Sequence, residues 1–205
     1  MEHKASILAA NPLKYHMDII AIHGAWSSSI SFNHLRSQIQ GSWVVVDYDH
    51  ASEGMWDIIQ RSNDMITRPS IVIGHSLGGI AALHLHDNPL VSGIITLASP
   101  LAGLELNLLQ IYLSRSKLIT QIANDTHLMR DMKKRDYAKP VLHLVANYGF
   151  NPFIYGDSDG VLPKKVQTGW SCGKLVPIHT NHYEILQHQE TIDNIKSFYS
   201  KITFK

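Results

Sequence analysis

The run Gly74-His75-Ser76-Leu77-Gly78-Gly79 stands directly behind Ile71-Val72-Ile73. A serine framed as G-x-S-x-G, with a strand pattern before it and a helix pattern after it, fits a sharp strand–turn–helix elbow. Such a turn lifts the hydroxyl above the C-terminal edge of a parallel sheet. The flanking glycines answer a steric demand, because strand and helix nearly touch there. Gly79, Ile80, Ala81, Ala82, Leu83 and Leu85 supply the helix. A serine hydroxyl is a poor nucleophile at neutral pH unless a base lies within hydrogen-bond reach. Chemistry of this kind also asks for a histidine, an acid that orients it, and two N–H groups for the negative oxygen that develops in acyl transfer. Without those partners the hexapeptide is only a glycine-rich turn.

The elements that must position these groups follow from periodicity. Apolar runs alternate with helical patterns, the signature of a parallel sheet with crossover helices. Strands are expected over 18–22, 43–47, 70–73, 93–97, 141–146 and 174–178. Several are near-continuous Val, Ile and Leu, as strands covered on both faces must be. Helices are expected over 29–40, 54–66, 77–86 and 183–199. One α/β domain over 1–205 results, with a minimal, mostly parallel sheet of about six strands flanked by helices. The stretch 99–139 is too long for a simple crossover, which needs about a dozen residues. Leu104, Leu108, Ile111, Leu118 and Ile122 recur there near helical spacing. Residues 100–138 are therefore read as a helical insertion after the fourth strand. It is either an ordinary crossover packed on the sheet or a cap over the site.

Composition narrows the class. Of 205 residues, 44% are hydrophobic and 17% charged, which describes a globular chain rather than a disordered one. A net charge of +1 gives no electrostatic case for nucleic acid or an anionic membrane. Lys133-Lys134-Arg135 is read as a solvated helix end. The single cysteine, Cys172, permits no internal disulfide and fits a reducing compartment. No apolar run approaches the ~18 residues that span a bilayer. The patch at 5–10 is short for a signal peptide, so the chain is expected not to be exported and to be cytoplasmic. The 13 histidines lack a zinc spacing, and His84-x-His86 is read as a helix surface pair, so no metal is expected. Met55 and Trp56 are read as core. Asp47 and Asp49, after the second strand, are expected to bind loop amides, with an alternative acid or substrate contact as the other reading.

Four stretches resemble the α/β-hydrolase family in the family's order: Ile22-His23-Gly24-Ala25-Trp26, Gly74 to Gly79, Asp157-Ser158-Asp159-Gly160-Val161-Leu162-Pro163, and Asn181-His182-Tyr183-Glu184-Ile185-Leu186. The resemblance covers nearly the whole chain and is nearest to compact bacterial serine esterases and lipases. It implies Ser76 as nucleophile and His182, between the last strand and the final helix, as base, with His179 as the rival. It implies Asp159 as acid, with Asp157 two residues earlier able to serve instead. The other reading of these acids is a pair that only shapes a turn. The residue after the nucleophile, Leu77, and by resemblance Ala25 are the oxyanion donors. Trp26 is an alternative donor or a pocket wall. The stretch 147–155 separates strand from acid by more than the family needs and is a candidate wall of the pocket.

The implied activity is serine hydrolysis of a carboxylic ester, a lipid ester or thioester among them, through a Ser-His-Asp triad and an acyl-enzyme, without cofactor. Leu101 and Leu104 are the expected substrate contacts, for an apolar small-molecule acyl group. An acyltransferase, thioesterase or lyase on the same triad, and a non-catalytic binding protein on the same scaffold, are the alternatives.

Overall fold

The computed structural model describes residues 17–105, 117–123 and 125–203. Six strands, β1 (Asp18–Ile22), β2 (Ser42–Val46), β3 (Ser70–His75), β4 (Val91–Leu97), β5 (Val141–Ala146) and β6 (Lys174–Ile178), form one sheet in the order β2-β1-β3-β4-β5-β6. Every pairing is parallel. Parallel neighbours require crossovers. These carry α1 (Asn33–Gln38), α2 (Met55–Met65), α3 (Leu77–His84), α4 (Lys117–Gln121), α5 (His127–Lys134) and α6 (Lys164–Thr168), and α7 (Gln189–Thr203) closes the chain.

The central strands β1, β3 and β5 are buried along their whole length, and β4 at all but Ser92, and they feed two cores by alternation. Ile20, Ile22 and Val72 face a layer built by Met55 and Ile58 of α2, Ile80 of α3 and Met129 and Met132 of α5. Ile19, Ala21, Ile71 and Ile73 face Phe32, Leu35 of α1, and Ile192 and Ile195 of α7. All eight residues of α3 are buried, because that helix lies over the middle of the sheet beneath α2 and α5.

Several expectations change here. His84 and His86 are buried, not a surface pair, because α3 is roofed by neighbouring elements. Among the described residues no His, Cys, Asp or Glu group could hold a metal ion. Met55 is core, but Trp56 is half-exposed and meets His84 edge-on. The basic cluster is not simply solvated. Lys133 Nζ donates to the Ala102 carbonyl at 2.7 Å, and Arg135 bridges Asp131 and Asp87. The helix expected over 29–40 divides into a 3-10 turn, Ser29–Phe32, and α1. The helix expected from 183 likewise divides into a 3-10 turn at Glu184–Leu186 and α7.

The insertion contains α4 and α5, with Thr126 Oγ1 capping α5 through the Met129 N–H at 3.3 Å. Leu118, Ile119 and Ile122 are buried, and Leu104 forms an isolated parallel bridge with Ala123 rather than joining a helix. Leu108, Ile111 and the apolar patch at 5–10 lie outside the described residues. No helix among the described residues is long and apolar enough to cross a membrane.

Candidate active site

β3 ends at His75, and Ser76 takes φ 53° and ψ −123° before α3 begins. A non-glycine residue there is strained by about 1–3 kcal/mol, held only where the surroundings over-determine it. Two hydrogen bonds do so: Ser76 N–H donates to the Leu97 carbonyl at 2.8 Å, and its own carbonyl accepts from Gly79 N–H at 3.0 Å. The turn also needs its glycines. A Cβ on Gly78 would lie 2.1 Å from the Ile22 carbonyl oxygen, and one on Gly74 would lie 2.3 Å from the Gly78 carbonyl oxygen.

His182 follows β6 on a loop that returns to the same sheet edge. Its Nδ1–H donates to Asp159 Oδ2 at 2.6 Å, and its Nε2 receives the Ser76 hydroxyl at 3.0 Å. An ionised carboxylate only accepts, so the neutral ring carries its proton on Nδ1 and leaves Nε2 as the acceptor for the hydroxyl. Asp159 and His182 are both buried. Asp159 Oδ1 accepts from the N–H groups of Val161 at 2.9 Å and Leu162 at 2.6 Å. Oδ2 also accepts from Gln167 Nε2 at 2.9 Å.

The rivals stand elsewhere. The Asp157 side chain is 75% exposed and 3.4 Å from Lys164 Nζ. His179 packs against Tyr148 with ring centroids 4.4 Å apart and the rings tilted by 43°. Asp47 and Asp49 bind local amides, Asp47 that of Ser29 at 2.9 Å and Asp49 that of Ala51 at 2.9 Å.

The loop after β1 is fixed by buried polar contacts. His23 stacks on Tyr48 at 4.1 Å, donates from Nδ1 to the Gly24 carbonyl at 2.8 Å, and its own carbonyl accepts the Tyr48 hydroxyl at 2.8 Å. Burial holds the His23 pKa below its ordinary value and raises that of Tyr48, so both stay neutral at physiological pH. Ala25 and Leu77 line the cavity beside Ser76. Leu77 opens α3, so its N–H has no intrahelical acceptor. Gly24 must lack a side chain, because a Cβ would sit 2.9 Å from Ser76 Cβ.

A cavity of about 340 Å³ opens at Ser76. Leu104, Ile119 and Ile122 build one wall, and Phe153, Ile154 and Leu162 another. No Asp, Glu, Lys or Arg is among the described lining residues. Trp26 and Leu104 are among its lining residues, whereas Leu101 is packed in the core and is not. The stretch 147–155 does form a wall. Asn151 Nδ2 donates to the Gly160 carbonyl at 2.9 Å, clipping the stretch to the Asp159 turn.

Sequence reasoning missed Gln167, Ile119 and the second role of His75. The His75 Nε2–H donates to the His182 carbonyl at 2.8 Å, and burial, helped by nearby His182, lowers its pKa to about 3. Gln167 and Ile119 belong to no short motif, and the hexapeptide that contains His75 does not record its contact to the His182 carbonyl.

No protein-family model matches the sequence, and no curated protein matches it. Solved structures do. Lipase BlEst2 of Bacillus licheniformis aligns at TM-score 0.69 and 16% identity, over 90% of this chain and 92% of its own. A pyrethroid hydrolase from Sphingobium faniae JZ-2 aligns at TM-score 0.60 and 15% identity, over 91% and 98%. MenH from S. aureus aligns at TM-score 0.58 and 13% identity, over 92% and 95%. The six-stranded parallel sheet with its flanking helices is the α/β-hydrolase fold.

Proposed function

We propose that this chain is a serine hydrolase that cleaves carboxylic esters with an apolar acyl group by acyl transfer. The observation that carries the reading is the continuous path Ser76 Oγ to His182 Nε2 at 3.0 Å and His182 Nδ1 to Asp159 Oδ2 at 2.6 Å. Ser76 Oγ bonds to the carbonyl carbon while His182 Nε2 takes its proton, and Asp159 supports the imidazolium. The Leu77 and Ala25 N–H groups stabilise the oxyanion. His182 then protonates the leaving alkoxide as the C–O bond breaks, giving an acyl-enzyme on Ser76. Water, losing a proton to His182, attacks the acyl carbon. The acid departs, and the proton returns to Ser76 Oγ.

The described lining residues carry no Asp, Glu, Lys or Arg and are largely apolar, which favours a neutral acyl chain over a charged one, because an unpaired charge is costly to bury. Residues 100–138 serve as a cap in this reading, since Leu104, Ile119 and Ile122 border the cavity. The single cysteine suits a reducing compartment, the cytoplasm being the simplest.

The test is a serine-directed fluorophosphonate probe together with a panel of esters and thioesters of graded acyl length. The wild type labels and hydrolyses; Ser76→Ala does neither while keeping its melting temperature. Loss of a triad nucleophile costs about 10⁶ in turnover. Activity of Ser76→Ala within tenfold of wild type sinks the reading, and an unlabelled, inactive wild type points to a binding protein on this scaffold.

A further inference from the structure

We propose that Gln167 is a positioning residue for the acid–base pair, aiming the Asp159 carboxylate at His182 and moderating how strongly that carboxylate supports the protonated ring. The inference rests on the triad reading above.

Gln167 lies on α6 and is fully buried. Burying a primary amide is costly unless its groups are paired. Here they are paired in one way. Oε1 accepts from the Ala146 N–H at 3.1 Å, and Nε2 donates both to the Ala146 carbonyl at 2.9 Å and to Asp159 Oδ2 at 2.9 Å. Reversing the amide would set its oxygen against two acceptors and its nitrogen against a donor, so the orientation is determined. Ala146 is the last residue of β5 and pairs in register with Ile178 of β6, the strand that leads to His182. Gln167 thus ties the carboxylate to the same pair of strand ends from which the base departs.

The shared oxygen gives this contact a chemical consequence. Oδ2 receives His182 Nδ1–H and Gln167 Nε2–H, while Oδ1 is held by the Val161 and Leu162 amides. Each fixed donor draws negative charge from the carboxylate. Gln167 is the side-chain donor that competes with His182 for one oxygen. Without it Oδ2 is more basic and less firmly aimed. The first effect stabilises imidazolium and raises the pH at which His182 becomes a competent base; the second slows turnover.

The experiment measures kcat and KM from acid to alkaline pH with a short-chain nitrophenyl ester, on wild type, Gln167→Met, Gln167→Glu and Ser76→Ala, with a thermal melt for each. For Gln167→Met, kcat falls about tenfold or more with KM within about threefold. Its acid limb moves up by about half a pH unit or more. Gln167→Glu adds an alkaline limb. Protonated, the acid can give its single O–H to Asp159 Oδ2, leaving the Ala146 carbonyl without the amide's second donor; ionised beside Asp159, it repels that carboxylate and activity declines as pH rises. A role in packing alone lowers the melting temperature and leaves both pH limbs in place.

A folded Gln167→Met with wild-type kcat and pH profile overturns the proposal, as does a wild-type alkaline profile for Gln167→Glu. If only Gln167→Glu folds, its alkaline limb decides. If neither variant folds at any pH, the amide is structural and the proposal falls. Hydrolysis by Ser76→Ala would instead overturn the triad reading itself, and this inference with it. An inactive Ser76→Ala beside wild-type-like Gln167 variants overturns the role of Gln167 alone.

Discussion

The residue before Ser76 holds the loop of His182: His75 Nε2–H donates to the backbone carbonyl of His182 at 2.8 Å. With its pKa lowered to about 3 by burial, His75 stays neutral at physiological pH. Its ring also packs 5.0 Å from that of His182. Replacing His75 by Leu removes the donor and leaves a buried carbonyl unsatisfied, at a cost of about 1–3 kcal/mol. Where that cost falls on alignment of the base, kcat/KM drops roughly tenfold to a hundredfold. Steady-state kinetics on an acetyl ester check this, and an unchanged kcat/KM in a folded variant refutes the coupling.

The acid and base are distinguishable from their neighbours by paired substitutions. Asp159→Asn is expected to cost about 10⁴ in kcat, because the wrong tautomer of His182 is then favoured. Asp157→Asn breaks only an exposed contact to Lys164 and leaves activity within about twofold. His182→Ala matches Ser76→Ala, whereas His179→Ala removes a contact with Tyr148 and no reacting group. Kinetics of the four variants decide; a crippled Asp157→Asn reverses the assignment.

Acyl length is expected to be read by Ile119 and its neighbours. Ile119 is buried on α4 and borders the cavity together with Ile122 and Leu104. Ile119→Phe fills part of that space. An octanoyl ester then loses about tenfold or more in kcat/KM while an acetyl ester stays within about twofold. Equal losses on both substrates indicate a packing defect, since overfilling a core itself costs about 1–3 kcal/mol.

Stability is expected to fall on mild acidification. Burial lowers His75 to about 3 and His84 and His143 to about 4, from an ordinary 6.5. The folded chain therefore binds fewer protons than the unfolded one between those values. This contribution to stability is whole above pH 6.5 and is lost as pH falls toward 4. Each such ring removes up to about 1.4 kcal/mol per pH unit within its window. Thermal melts from pH 7.5 to 5 at constant ionic strength check it, and a flat melting temperature across that range contradicts it.

Much of this arrangement was legible in the residues. The runs at 18–22 and 141–146 mark β1 and β5 to the residue, because strands buried on both faces are dominated by apolar residues; the bounds 174–178 also match β6, although that edge strand is largely exposed. The proximity of Ser76, Asp159 and His182 could be anticipated from the glycine-framed turns at 74–79 and 159–160 and, for His182, whose loop holds no glycine, from chain order alone. His84 and His86 were misread because burial by α5 comes from across the fold, and no local spacing records it. Trp56 was misread for the converse reason: its neighbour Met55 points inward, and a one-residue step on a helix turns the side chain toward solvent. Gln167 was illegible because its meaning lies in the main chain of Ala146, which any residue there would supply.

Ser76 and His182, the proposed nucleophile and base, are 106 residues apart in the chain. The acid, its amide clamp and the base all belong to the segment 159–182, whereas Ser76 and the loop at 23–26 belong to the first half. A segment containing β1 to β4 alone holds the elbow and no base; a segment beginning at β5 holds the dyad and no hydroxyl to receive. Catalysis therefore audits the whole topology. During renaturation, regained turnover marks the docking of β5 and β6 onto the rest, an event that helix content alone would not time.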